Sequence, residues 1–217
     1  DLTGPFEVLA RLPNSTYRLY GKTGGMIRDL KGLRITPDAA LDDAPQLDVL
    51  HIPGGFGQEA LMEDEEVLGW IRRQAEGAHS IFSVCTGALV CGAAGLLKGR
   101  RATTHWASSH LLPYFGAIPV DERVVVDGNW VFAAGVTAGI DGALRLVAEL
   151  RGDAAAQAIQ LYMVYAPEPP FDAGTPASAP PEIVAAMRES VRAITAQREA
   201  TARRVADRLG IAAPASP

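Results

Sequence analysis

Apolar and polar positions along this chain change period repeatedly, alternating between strand-like and helix-like blocks. Two runs are apolar on nearly every position: Asp48-Val49-Leu50-His51-Ile52, stopped by Pro53-Gly54-Gly55, and Ser80-Ile81-Phe82-Ser83-Val84. Runs of that kind predict strands of a parallel sheet that is covered on both faces. Between them lies a segment with helical spacing, Glu65 to Ala75, with Val67, Leu68 and Ile71 on one side and Asp64 placed to cap it. A second helical segment opens at Cys85 and runs through Ala94, ended by Gly95 and Gly99. A short strand near Arg101–Thr103 leads into a predicted helix from Trp106 to Phe115. Strand patterning returns at Ile118–Val120 and in Val124-Val125-Val126, which Asp127-Gly128 turns back into Trp130-Val131-Phe132. Helices follow from Gly139 to Leu150 and from a cap at Asp153 to about Val164.

The two ends are plainer. Pro5 suits the first turn of a helix that Phe6, Val8 and Leu9 continue as far as Pro13. Short strands are expected at Tyr17–Tyr20 and Leu33–Thr36. Residues 166–181 are rich in Pro, Ala and Ser and read as an irregular connection within one domain. Glu182 to Leu209 reads as one long helix, polar on most faces, and 211–217 as a frayed tail. The order of elements predicts a single α/β domain over 1–217: a doubly wound, mostly parallel, flavodoxin-like sheet flanked by helices. Such a domain places a strand before its first helix. An apolar strand of roughly 10–15 residues is therefore expected ahead of Asp1.

Charge and composition narrow the partners. The net charge of −5, with no Lys/Arg run, gives no electrostatic case for nucleic acid. No apolar stretch approaches the roughly 18–20 residues that span a bilayer. Two cysteines, Cys85 and Cys91, are too few for a disulfide scaffold; both read as free thiols of a reducing compartment, which places the chain in the cytoplasm. No His, Cys, Asp or Glu grouping has metal-ligand spacing.

The chemistry concentrates where the second apolar strand meets its helix. A thiol at Cys85 would stand above the carboxyl ends of the strands, where open α/β sheets hold ligands, and the first-turn amides would lower its pKa. The arrangement has the logic of a strand–turn–helix nucleophile elbow. From placement alone, a small buried residue is as good a reading of Cys85, and core packing is the better one for Cys91. Gly54 and Gly55 end the neighbouring strand; with the Thr86 amide they would form an anion-stabilising pocket, or they are a plain turn. His105, beside Trp106, is either an activating partner for the thiol or a hydrogen-bonded structural histidine. Asp1 is either a helix cap or a carboxylate at the active edge of the sheet.

Taken together, these segments resemble the ThiJ/PfpI superfamily, which is related to class I glutamine amidotransferase domains. The resemblance runs from Asp1 to at least Thr175. It is carried by Asp1-Leu2-Thr3-Gly4-Pro5, Ile52-Pro53-Gly54-Gly55, Ser83-Val84-Cys85-Thr86-Gly87, Arg101-Ala102-Thr103-Thr104-His105-Trp106, Thr137-Ala138-Gly139-Ile140-Asp141 and Pro169-Pro170-Phe171-Asp172-Ala173-Gly174. The first and last of these are similar to the isocyanide-hydrating branch. That resemblance implies Cys85 as nucleophile, Asp1 as acid/base partner and Thr86 contacting the reaction beside the nucleophile. It also implies substrate or anion contacts at Gly54, Gly55, His105 and Trp106, an isocyanide substrate, no cofactor, no metal and a homodimer. Protease-like relatives carry His directly after the cysteine; Thr86 stands there, which argues against peptidase and glutaminase chemistry. The rival expectations are a deglycase- or glyoxalase-like enzyme of α-oxoaldehydes, and a redox-sensing or ligand-binding module. The regulators that carry such a module add helix-turn-helix units, for which the stretch after Phe171 leaves no room.

Overall fold

The computed structural model describes residues 1–212 and 214. In chain order the elements are α1 (Thr3–Leu9), β1 (Tyr20–Gly21), β2 (Ile27–Arg28), β3 (Arg34–Ile35), β4 (Ala39–Ala40), β5 (Val49–Ile52), α2 (Gln58–Leu61), α3 (Glu65–Gly77), β6 (Ser80–Val84) and α4 (Gly87–Ala93). They continue with β7 (Arg101–Ala102), β8 (Ile118–Pro119), β9 (Val124–Asp127), β10 (Trp130–Ala133), α5 (Ala138–Arg151), α6 (Asp153–Tyr162), α7 (Pro181–Ser190) and α8 (Arg192–Leu209).

The main sheet has four strands in the order β5-β6-β10-β9. β5, β6 and β10 are parallel, with Ile52 opposite Ser83 and Val84 opposite Ala133, and β9 closes the hairpin antiparallel to β10. Side chains leave the strands alternately, so the sheet divides two cores. Leu50, Ile81, Trp130 and Phe132 face α3, α4 and α8. Phe82, Val84, Val131 and Ala133 face α1 and α5. All five residues of β6 are buried, as a central strand covered on both faces requires. This is the doubly wound α/β architecture expected from the sequence. The smaller pairs are β1 with β4, parallel, β2 with β3, antiparallel, and β7 with β8, parallel.

Local departures have local causes. Residues Trp106–Phe115 form a 3₁₀ helix rather than an α-helix. Pro113 lies inside this segment, and its ring and missing N–H oppose the α-helical ladder. Tyr17 does not join a strand: its ring meets Phe6 edge-on at 5.2 Å and its hydroxyl bonds His51 Nδ1 at 2.8 Å. The long C-terminal helix is broken at Val191, whose ψ of 4° leaves the helical range. Just before the break, the Ser190 hydroxyl donates to the Met187 carbonyl at 2.8 Å, competing with the backbone ladder. α8 is also less polar in its contacts than its sequence: Arg198, Thr201, Ala202, Val205 and Ala206 are all buried. Asp64 caps α3 as expected, accepting from the Val67 N–H. Gly152, not Asp153, occupies the cap of α6, where its φ of 83° suits glycine. Of the tail expected to fray, 213 and 215–217 lie outside the described residues, while the Ile211 N–H donates to the Ala206 carbonyl at 2.9 Å.

Candidate functional site

β6 ends at Val84, and the chain must reverse direction within Cys85 and Thr86 to start α4 at Gly87. Cys85 makes the turn by adopting φ 57°, a left-handed conformation that L-residues with a Cβ disfavour. Strain of this kind persists only where the surroundings over-determine it. Here the Cys85 N–H donates to the Ala133 carbonyl at 2.8 Å, and the Cys85 carbonyl accepts from the Thr104 hydroxyl at 2.7 Å. The nucleophile elbow read from the sequence is therefore present, and β10 and the loop after β7 clamp it from two sides. Thr104 has this place in the site without having drawn attention in the sequence.

The turn works only because two glycines meet. A Cβ on Gly87 would fall on the Ile52 carbonyl oxygen, and a Cβ on Gly54 would sit 2.6 Å from the Thr86 nitrogen. The loop after β5 and the first turn of α4 thus touch backbone to backbone. Gly87→Ala is expected to destabilise the fold by about 1–3 kcal/mol and lower Tm by about 3–10 °C, because neither backbone can yield without moving Cys85. Thermal unfolding checks this; an unchanged Tm contradicts the close contact.

Cys85 is buried, and burial pushes its thiol pKa up. The Thr86 amide and hydroxyl and the charge of Arg198 act in the opposite sense. Burial outweighs them, so the lowered pKa expected from the helix start alone is corrected here. The reason is that Cys85 is buried within the cluster between the sheet and the α1/α5 side, which desolvates the thiol. Cys91 is fully buried and its thiol is pushed up to about 12, as core packing predicts.

Asp1 stands at the same edge. Pro5, in the first turn of α1, packs against Gly139 at the start of α5 together with Val84, and this seats the start of α1 over the end of β6. Asp1 Oδ1 is buried and has no hydrogen-bond partner. Asp1 makes no capping bond to α1, so the plain helix-cap reading is not what the geometry shows. His51 itself is fully buried, stacked on Phe82 at 4.8 Å, and pushed down to about 3 by that burial.

The remaining sequence candidates divide. Thr86 is buried; its hydroxyl accepts from the Gly55 N–H at 3.1 Å and donates to the Gly55 carbonyl at 3.3 Å. The Gly55 amide is thus held by Thr86 in this structure. His105 Nδ1 accepts from the Ala107 N–H at 3.3 Å, capping the 3₁₀ helix. Burial, and after it the charge of the neighbouring Arg198, lower its pKa. The Trp106 ring lies tilted beside His105, 5.5 Å between centroids, and carries the Arg188 guanidinium over its face. Among the described residues no group of His, Cys, Asp and Glu could hold a metal ion.

Arg198 is the residue whose place the sequence reading did not anticipate. It comes from α8, is only 6% exposed, and lies against the Gly54-Gly55 turn. A surface cavity of about 310 Å³ runs between α2 and α8, past Phe56, Glu59, Thr201 and Arg204. Glu59 stands between that cavity and Arg198.

Residues 1–149 match the DJ-1/PfpI family. This chain belongs to that family. It is 53% identical to an isonitrile hydratase of Pseudomonas putida over 85% of this chain and 81% of the relative. A solved ThiJ/PfpI family protein from Pseudomonas syringae superposes with a TM-score of 0.91 at 41% identity, covering 93% of this chain and 84% of the other. A deglycase of Thermococcus kodakarensis is 33% identical over 49% of this chain and 66% of its own length.

Proposed function

We propose that this DJ-1/PfpI-family chain is an isocyanide hydratase, converting R–N≡C and water to the N-formamide R–NH–CHO with Cys85 as nucleophile. The observation that carries this reading is Cys85 itself, buried and held at φ 57° between β6 and α4. The likeness to the P. putida isonitrile hydratase, spanning most of both chains, supplies the substrate class.

The residues divide the work in two stages. The sulfur adds to the terminal isocyanide carbon, and the thiol proton, relayed through Asp1, goes to the same carbon, leaving the thioimidate R–N=CH–S–Cys85. Because the proton is counted once for the pair, a thiol pKa raised by burial does not oppose the step: Asp1 relays it from sulfur to carbon. Asp1, then ionised, takes a proton from water as the oxygen attacks the thioimidate carbon. As the C–S bond breaks, the proton of the added hydroxyl passes to the nitrogen, Asp1 returns its proton to the sulfur, and the formamide R–NH–CHO leaves. The Thr86 amide is the donor beside the sulfur that steadies the charge developing there. Every step is accounted for by this chain's own side chains and water.

No described helix is long and apolar enough to cross a membrane. With two free cysteines, one of them the nucleophile, the reading places the enzyme in the cytoplasm. It also makes the enzyme a homodimer, because α7 buries no residue of its own and leaves Ile183 and Met187 half exposed, while Leu161, Tyr162 and Val164 are largely exposed nearby in sequence. Light scattering is expected to give twice the chain mass; a monomer at micromolar concentration contradicts the dimer.

The test of function is turnover of a panel of aryl and alkyl isocyanides, followed by formamide appearance, with methylglyoxal alongside. Formamide production with little methylglyoxal consumption supports hydration. Methylglyoxal consumption without formamide moves the chain to the deglycase reading.

A further inference from the structure

Arg198 is buried at the junction of three parts of the fold. Its Nη2 donates to the Gly55 carbonyl at 3.3 Å, its Nη1 to the Ser108 hydroxyl at 3.5 Å, and its Nε pairs with Glu59 Oε2 at 3.3 Å. Its guanidinium also lies over the Phe56 ring at 5.8 Å. The Gly55 carbonyl that it holds is the same one that accepts from the Thr86 hydroxyl. α8 therefore reaches the residue next to Cys85 through two hydrogen bonds on one oxygen. A buried ion pair is weak evidence for stability, because removing both charges from water costs several kcal/mol. The position of this pair, beside the elbow, points to another use.

We propose that Arg198 is a positioning residue for the Cys85 nucleophile: it pins the Gly54-Gly55 turn against Thr86 and supplies the positive charge that the sulfur feels when it is ionised. Glu59 is its counter-charge and sets how much of that charge reaches the sulfur. The proposal rests on Cys85 being the nucleophile.

Charged and titratable groups facing the site come from every element around it. Asp1 approaches from the α1 side, His105 precedes the 3₁₀ helix, Arg198 comes from α8 and Glu59 from α2. Arg204, also on α8, acts on Glu59 rather than directly on the thiol. The pKa of His105 is lowered by burial and, after it, by the charge of Arg198. Cys85 and Arg198 each act on the other's ionisation.

The test is the pH dependence of Cys85 alkylation by iodoacetamide, read by mass spectrometry of the Cys85 peptide. Cys91 stays silent in this assay, its thiol pushed up to about 12. Arg198→Met is expected to raise the apparent thiol pKa by about one unit, slowing alkylation at pH 7 about tenfold. Glu59→Gln removes the counter-charge and is expected to shift the pKa the other way, speeding alkylation about threefold. Arg198→Lys keeps the charge and is expected to recover much of the rate that the Met variant loses. A merely structural role would move the Met and Gln variants in the same direction, or not at all, and either result overturns the proposal. If Arg198→Met does not fold, Glu59→Gln decides alone: faster alkylation supports the proposal, unchanged or slower alkylation overturns it. Retained isocyanide turnover in Cys85→Ala would instead remove the nucleophile reading, a different failure from unmoved pKa values in an enzyme that Cys85→Ala inactivates.

Discussion

Cys85→Ala is expected to lower isocyanide turnover by at least about a thousandfold while leaving the fold intact. The size follows from the role: without the sulfur no thioimidate forms, and only the uncatalysed addition of water remains. Alanine is smaller than cysteine and apolar, so the buried pocket against Val84 and Ala138 loses little packing and no hydrogen bond that holds the turn. Both bonds that clamp the elbow use the Cys85 backbone and survive the substitution. The backbone strain at φ 57° is also kept, since alanine still carries a Cβ. Circular dichroism and thermal unfolding alongside steady-state rates separate lost chemistry from lost fold. Full activity in the variant would refute the assignment.

Asp1→Asn is the second large effect. The amide matches the carboxyl in size but cannot take the thiol proton and return one from water. General acid–base contributions of about a hundred- to ten-thousandfold set the expected drop in kcat. Asp1 Oδ1 is buried without a partner, so the substitution breaks no hydrogen bond through that atom, and Tm should move by no more than about 3 °C. Substrate binding involves the same cavity shape in both forms, so KM should change much less than kcat. A rate within twofold of the unsubstituted enzyme would take Asp1 out of the mechanism.

The sheet was legible in the sequence where burial on both faces forces an unbroken apolar run, as in Ser80–Val84, and where a turn pair marks a hairpin, as at Asp127-Gly128. The elbow was legible too, because a cysteine after such a run and before Gly87 has few other places to go. What the residues around it do was not. Whether the Gly55 amide faces a ligand or Thr86 depends on side-chain rotation that no period encodes. Desolvation of Cys85 is set by packing from α1 and α5, far away in sequence, and it reversed the shift expected from the helix start. Arg198 sits in a stretch dense with Arg, Glu and Gln that reads as a solvated surface. Only the docking of α8 on the 3₁₀ helix and the glycine turn shows which one of those charges turns inward. The break at Val191 is similarly hidden, since Glu182–Leu209 carries no Gly or Pro before its end.

The central claim is that a covalent bond forms between Cys85 and the isocyanide carbon during turnover. Acid-quenching the working enzyme within its first turnovers and weighing the intact protein tests this directly. A species heavier by the whole mass of the isocyanide is expected, with the increment mapped to the peptide holding Cys85 and absent from Cys85→Ala. Formamide accumulating at full rate with the protein mass unchanged, or with the label on any other residue, would contradict it.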